Sequence, residues 1–244
     1  MLKIENLVKS YSGGKVRAVD CINLEVKKGE IFGFIGPNGA GKTTTIKLVT
    51  GILKPDSGSI TVDGFDMQSR PIEAKGRIGF VPDTHDAWDR LTGREYLNFI
   101  GDIYGVEREE RRAALEKYLE MFEIADAVGD QLRTYSHGMR QKLMLTAALM
   151  HRPPLWILDE PLTGLDPRSA HALKKEMRAH CDGGNTVFFS THVLEVAEKL
   201  CDRVAIIDNG RIVAVGSLDE LRAGKVGESL EGLFLRLTGE SDEK

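Results

Sequence analysis

Long apolar runs and a regular set of cysteines are both missing from this sequence of 244 residues. No stretch of about 18 apolar residues occurs, so we expect no membrane-spanning helix. Residues 1–6 alternate polar with apolar side chains and lack the apolar core of a signal peptide. Cys21, Cys181 and Cys201 are widely spaced, which fits neither a disulfide framework nor a zinc site. We therefore expect a protein of the reducing cytoplasm.

A surplus of positive charge is missing as well. The 33 Lys and Arg residues are outnumbered by 37 Asp and Glu residues, which gives a formal net charge of −4. General nucleic-acid binding usually needs a strong basic surplus, so the composition argues against it without excluding a local basic patch. Hydrophobic residues make up 41% of the chain, and a chain of this length buries a sizeable core.

Apolar runs of strand length alternate with segments of helical periodicity. Residues 31–35 form an apolar run without alternation, typical of a strand buried on both faces. Further strands are predicted over 2–8, 18–26, 155–158, 186–189 and 203–207, and helices over 166–180 and 193–202. This order predicts an α/β fold with a mostly parallel sheet.

The middle of the chain has helical periodicity and no strand pattern. The three helical segments are 94–104, 108–122 and 137–151. We therefore predict one domain over residues 1–238, with a core formed by 1–83 and 153–238, a helical subdomain inserted at about 84–152, and a flexible tail at 239–244.

A phosphate-binding loop follows the predicted strand at 31–35. The pattern G-x-x-x-x-G-K-[ST] is formed by Gly36, Pro37, Asn38, Gly39, Ala40, Gly41, Lys42 and Thr43, with Thr44 next in the helix. Backbone N–H groups of such a loop surround phosphate oxygens, Lys42 reaches the β- and γ-phosphates, and the Thr43 hydroxyl binds Mg²⁺. The competing interpretation is a glycine-rich turn with an exposed lysine, which the flanking strand and helix disfavour.

Three further segments carry polar groups suited to nucleotide chemistry. Asp159 and Glu160 end a buried strand, where Asp159 is suited to hold Mg²⁺ and Glu160 to act on an attacking water. His192 follows the next predicted strand, although a lone histidine there is more often a structural hydrogen-bonding group. Ser136 is a candidate helix N-cap whose neighbours offer free N–H groups to an anion, although a plain N-cap explains it equally well.

Together these segments resemble the ATP-binding cassette (ABC) ATPases over essentially the whole chain. The resemblance implies a P-loop NTPase core, an antiparallel β subdomain and an inserted helical subdomain, with ATP and Mg²⁺ as cofactors. It implies that Tyr11 stacks on adenine, that Ser136 and Gly138 contact the γ-phosphate of ATP held by another cassette, and that Asp166 makes a contact across the dimer. It also implies that Glu160 is the catalytic base, His192 a switch residue and Lys42 a phosphate ligand.

Two departures from the family pattern are visible. Asp83 stands where a Gln is usual, so a carboxylate rather than an amide becomes a candidate Mg²⁺ ligand beside Thr43 and Asp159. His137 replaces the first glycine of the signature segment, which reads Tyr-Ser-His-Gly-Met over residues 135–139. Both variants resemble exporter-type bacterial cassettes.

The resemblance implies a transporter motor that pairs head to tail with a second cassette and works on a separate membrane-spanning permease subunit. The chain is then cytoplasmic and peripheral on the inner face of the membrane, and export is the expected direction. The alternative is an ABC ATPase acting on ribosomes or DNA, which the net charge and the short segment between Asp83 and Ser136 disfavour. A small-molecule kinase does not explain residues 135–141 or Glu160.

Overall fold

The computed structural model describes residues 1–84, 88–222 and 229–238. The strands are β1 (Leu2–Tyr11), β2 (Val16–Val26), β3 (Ile31–Ile35), β4 (Ser57–Val62), β5 (Phe65–Asp66), β6 (Ile78–Val81), β7 (Leu155–Asp159), β8 (Thr186–Thr191), β9 (Arg203–Asp208) and β10 (Arg211–Gly216). The helices are α1 (Lys42–Val49), α2 (Pro71–Lys75), α3 (Gly93–Ile103), α4 (Arg108–Met121), α5 (His137–Met150), α6 (Pro167–Asp182), α7 (Leu194–Leu200), α8 (Leu218–Arg222) and α9 (Leu230–Thr238). The predicted tail at 239–244 lies outside the described residues.

Two sheets organise the described part of the chain. The larger sheet has the order β10-β9-β3-β8-β7-β6, and every pair in it is parallel except β9–β10. The smaller sheet, with the order β2-β1-β4-β5, is antiparallel throughout. The predicted α/β fold, with a mostly parallel sheet and an antiparallel β part, is confirmed.

Strand β7 shows why the central strands read as unbroken apolar runs. Trp156 and Leu158 point into an apolar cluster shared with helices α5 and α6. Leu155 and Ile157 point the other way, into a cluster shared with α1 and the antiparallel sheet. All four side chains are fully buried. Because both faces of the sheet are covered, neither face needs polar residues, and the alternation of a half-exposed strand is lost.

Helices α3, α4 and α5 follow one another without an intervening named strand in the described residues between β6 and β7. Helix α3 begins at a capping box, in which the Glu95 N–H donates to Thr92 Oγ1 at 3.2 Å and the Thr92 N–H donates to Glu95 Oε2 at 2.8 Å. The three helices lie where helical periodicity predicts them. The division into a core and an inserted subdomain at about 84–152 stays a prediction.

Candidate functional site

One edge of the larger sheet gathers the predicted site residues. The neighbouring strands β3, β8, β7 and β6 are parallel, so their carboxyl ends meet at this edge. The glycine-rich loop at 36–41 follows β3, His192 follows β8, Glu160 follows β7, and Asp83 lies just beyond β6. Ligands of open α/β sheets bind outside the carboxyl ends of strands, and the topology therefore places a ligand site here.

The loop between β3 and α1 is packed too closely for side chains at two of its glycines. A Cβ on Gly36 would lie 2.4 Å from the Ile207 carbonyl oxygen, and one on Gly41 would lie 2.3 Å from the Ala18 carbonyl oxygen. Gly41 also has a φ of +107°, which disfavours any L side chain. The loop therefore places no side chain at these two positions beside the N-terminus of α1. The unpaired N–H groups at a helix N-terminus and the helix dipole favour a bound anion there.

Lys42 is buried inside this loop, at 6% exposure. Its Nζ donates to the carbonyl oxygens of Gly36 at 2.7 Å and Pro37 at 3.1 Å, and lies 3.7 Å from Glu160 Oε1. Burial lowers the pKa of the Lys42 ammonium, while the Glu160 and Asp159 carboxylates oppose that shift. The lysine is therefore a cation held at the loop mouth beside two acidic residues.

Asp159 ends β7 with its carboxylate buried at 2% exposure. Burial raises the pKa of this carboxyl, hydrogen bonds from Ser190 and Thr43 lower it, and the charges of Asp83 and Glu160 raise it further. Crowded acidic groups of this kind favour a bound cation, because the cation relieves their mutual repulsion.

Glu160 lies between Lys42 and His192 in the site. Its Oε1 lies 3.1 Å from His192 Nδ1 as well as 3.7 Å from Lys42 Nζ. Its φ is +48°, a left-handed conformation that is uncommon for a residue with a side chain. A pocket of about 210 Å³ opens above it, and its lining is Ala18, Asn38, Gly39, Gly41, Lys42, Thr43, Thr44, Asp83 and Glu160. The structure thus brings together the loop, the strand-end carboxylates and the histidine.

The oxygen donors at this edge fit Mg²⁺. Thr43 offers a hydroxyl and Asp159 and Asp83 offer carboxylates, which are hard ligands of the kind this ion prefers. Within the described ranges, no group of three His, Cys, Asp or Glu side chains forms a metal cage of its own. Mg²⁺ usually takes one or two carboxylates and completes its shell with water and phosphate oxygens.

Ser136 and Gly138 lie away from this pocket, at the start of α5. Ser136 caps the helix, because its Oγ accepts the Met139 N–H at 3.2 Å. A Cβ on Gly138 would lie 2.6 Å from the Gly164 carbonyl oxygen, so this turn packs on the loop that follows β7. Gln141 Nε2 donates to the Pro161 carbonyl oxygen of that loop at 3.0 Å.

The same loop is tied to α5 by charge. Lys142 Nζ lies 2.8 Å from Asp166 Oδ2, and Asp166 also caps α6 by accepting the Ser169 N–H at 2.9 Å. The Lys142 ammonium, followed by the Ser169 hydrogen bonds, holds the pKa of the Asp166 carboxyl well below its usual range. Asp166 thus has partners in its own chain, and its predicted contact across a dimer stays a prediction.

Tyr11 is not brought into the pocket. It is 39% exposed at the end of β1 and pairs with Val16 across the hairpin, so adenine stacking stays a prediction. Sequence reasoning missed Ser190, whose hydroxyl contacts both Asp159 and Glu160. The available signal was a serine inside the apolar run Val187-Phe188-Phe189-Ser190.

Comparison with known proteins gives a consistent picture. A sequence model described as ABC transporter matches residues 19–163. Relatives include the linearmycin resistance ATP-binding protein LnrL of Bacillus subtilis (strain 168), which is 39% identical over 230 residues that cover 94% of this chain and 73% of that protein.

Solved structures agree with this sequence comparison. An ATP-binding subunit of an ABC transporter superimposes with a TM-score of 0.92 at 34% identity, covering 97% of this chain and 99% of that one. The ATP-binding cassette MJ0796, solved as a dimer in a post-hydrolysis state bound to ADP and Pi, superimposes with a TM-score of 0.80 at 26% identity, covering 89% of this chain and 99% of that one.

Proposed function

The chain belongs to the ABC transporter family, and from this premise we propose how its ATP site works and what completes it. It binds and hydrolyses ATP and powers export. LnrL is named for resistance, and a further relative, the Nod factor export ATP-binding protein I of Paraburkholderia xenovorans (strain LB400), is named for export. Proteins of this family work with membrane permeases, and we propose that here the permease is a separate polypeptide that holds the chain at the cytoplasmic face. An ATPase acting on ribosomes or DNA is not favoured, because these relatives are named for resistance and export.

The position of Glu160 between Lys42 and His192 carries the proposed mechanism. Lys42 would hold the β- and γ-phosphates at the mouth of the loop, which places an attacking water beside the Glu160 carboxylate. Glu160 accepts a proton from that water as the general base. His192 donates through Nδ1 to Glu160 and keeps its carboxylate aimed at the water.

The backbone N–H groups of residues 39–44 would surround the phosphate oxygens. Thr43 and Asp159 would hold Mg²⁺, with Asp83 as a further oxygen ligand. The ion, when bound, neutralises phosphate charge and polarises the γ-phosphoryl group. Tyr11 would stack on adenine, which requires the end of the β1–β2 hairpin to approach the nucleotide.

A second cassette would complete the site. Ser136 and Gly138 start a helix whose N-terminus suits a phosphate, yet neither residue lines the pocket of its own chain. Gly138 packs on Gly164 of the loop after β7, and Ser136 is exposed. We propose that two cassettes close head to tail, with each ATP between one glycine-rich loop and the other chain's Ser136 segment. The MJ0796 cassette is dimeric in its post-hydrolysis state, which supports the pairing of two cassettes.

An exposed apolar surface on α3 supports a membrane partner. Phe99 and Ile103 lie one turn apart and are 39% and 60% exposed, and the ring of Trp88 packs on Phe99 with centroids 5.3 Å apart. No helix in the described parts of the chain is long and apolar enough to cross a membrane. Large exposed apolar side chains mark contact surfaces, and we propose that the permease docks on Trp88, Phe99 and Ile103.

Glu160→Gln tests the proposed function. The amide cannot act as a base, so ATPase should fall by about 100-fold or more while ATP stays bound. Light scattering at matched protein concentration should then show an ATP-dependent dimer, because ATP favours the closed state. Glu195→Gln on exposed α7 is the matched control and should keep the ATPase of the unmodified chain.

Full turnover by Glu160→Gln would remove Glu160 from the mechanism. A protein that stays monomeric at saturating ATP would overturn the proposed self-pairing.

A further inference from the structure

A hydroxyl lies inside one of the most buried strands of the protein. Strand β8 is buried along its whole length, and Ser190 within it is 0% exposed. A buried hydroxyl is unfavourable unless it is hydrogen-bonded. Ser190 Oγ donates to Asp159 Oδ1 at 2.5 Å and accepts the Glu160 N–H at 3.1 Å. Both partners belong to the acidic pair at the end of β7.

The second of these bonds bears on the conformation of Glu160. With a φ of +48°, Glu160 occupies a region where its Cβ crowds the backbone, so this geometry persists only when its surroundings hold it. The Ser190 hydroxyl is such a support, because it accepts the N–H of that same residue. The conformation it supports is the one that sets Glu160 Oε1 at 3.1 Å from His192 Nδ1.

The register of the sheet makes this link rigid. Asp159 pairs directly with Ser190 between the parallel strands β7 and β8. His192 follows Ser190 by two residues, so one hydroxyl connects the strand that carries the histidine to the strand that carries the carboxylates. Any slip between β7 and β8 would change the Glu160–His192 distance.

We propose that Ser190 is a positioning residue of the ATPase: its hydroxyl orients the Asp159 carboxylate toward the metal and holds the backbone of Glu160 in the conformation that the base requires. This inference rests on the proposed function of Asp159 and Glu160. Ser190 does not line the nucleotide pocket, so it acts through these two residues and not on the nucleotide.

Ser190→Ala removes both hydrogen bonds. Because loss of a supporting partner of a metal ligand typically costs about 10- to 100-fold in metal affinity or activity, we expect kcat to fall by about 10-fold or more. Calorimetric titration of Mn²⁺ into the ADP-bound protein should show a metal dissociation constant raised several-fold. The dissociation constant of ATP measured with EDTA should stay within about twofold, because the loop and Lys42 are untouched.

Two further variants separate positioning from a general effect on folding. Thr186→Val deletes a fully buried hydroxyl at the other end of β8, which donates to the Lys27 carbonyl oxygen and accepts the Gly29 N–H, each at 3.2 Å. It should lower the melting temperature and leave kcat and Mn²⁺ affinity unchanged. Ser190→Thr keeps the hydroxyl and should restore both quantities.

If Ser190→Ala does not fold, Ser190→Cys fills the same space with a poor hydrogen-bonding group and should show the same losses. Mn²⁺ affinity and kcat within twofold of the unmodified chain in a folded Ala or Cys variant would overturn the positioning role. Glu160→Gln, measured in parallel, distinguishes that result from failure of the proposed function, because an inactive Glu160→Gln beside an active Ser190 variant leaves the proposed ATPase mechanism standing.

Discussion

Two helix N-termini in this chain are proposed phosphate-binding sites, and they are equipped differently. Helix α1 begins at Lys42, which lies near Asp159 and Glu160. This helix start therefore has a cation in Lys42, a candidate metal ligand in Asp159 and a candidate base in Glu160. The start of α5 has the Ser136 cap and the close turn at Gly138, without an acidic residue in its first turn. We propose that the first acts chemically on a phosphate, whereas the second only binds one.

The loop between these two regions connects them. Residues 161–166 leave the site at Glu160 and reach α5 through Pro161, Gly164 and Asp166. These contacts join the Glu160 end of the loop to the first turns of α5. In the head-to-tail dimer proposed above, the Ser136 surface at the start of α5 would serve the other ATP.

Lys42→Ala should have the largest effect on ATPase, because it removes the cation from the proposed catalytic region, which is the start of α1 with Asp159 and Glu160. We expect ATPase to fall by about 100-fold or more, since the buried ammonium is placed to hold the β- and γ-phosphates. Steady-state phosphate release measures this, and Lys47→Ala, on the exposed face of the same helix, is the matched control. Turnover within tenfold of the unmodified chain would show that another group binds the phosphates.

The proposed catalytic region could be predicted from the sequence more fully than the start of α5, for physical reasons. Strands β3 and β7 read directly from the sequence because burial on both faces leaves unbroken apolar runs. The position of the acidic pair followed, since it ends such a run. Strand β10 was missed, although Asn209-Gly210, with φ values of +46° and +76°, is a typical hairpin turn. Its alternating, partly exposed pattern was weaker than those of the central strands.

Contacts that depend on register or loop packing could not be predicted. The Ser190 hydrogen bonds need the pairing of Asp159 with Ser190, which no local pattern specifies. The packing of Gly138 on Gly164 joins segments distant in sequence and depends on how the loop after β7 turns.

Ser136→Arg tests the start of α5, which we propose binds phosphate without taking part in hydrolysis. In the Glu160→Gln background, a long charged side chain at the exposed α5 cap should block the far phosphate site and abolish the ATP-dependent dimer. ATP affinity of the monomer should change by less than about twofold, since Ser136 does not line the pocket of its own chain. Glu107→Arg, at the exposed start of α4, is the control and should leave the dimer intact. ATP-dependent dimer formation by the Ser136→Arg protein would refute the proposal that each ATP site is formed by the glycine-rich loop of one chain and the Ser136 segment of the other.

Asp83→Ala should give the smallest effect, and it sharpens the comparison within the catalytic region itself. Asp83 lies beyond β6, lines the nucleotide pocket and raises the pKa of Asp159, so its charge is felt at the candidate metal site. Removing a carboxylate that helps to attract Mg²⁺ should raise the Mg²⁺ concentration for half-maximal ATPase by about threefold to tenfold. ATP binding without metal should change little. Asp83→Asn keeps an oxygen ligand without the charge and should fall between the two proteins, while Asp89→Ala, whose carboxylate pairs with Arg140, is the control. An unchanged magnesium titration would remove Asp83 from the metal site and favour a structural or partner-contacting role for it.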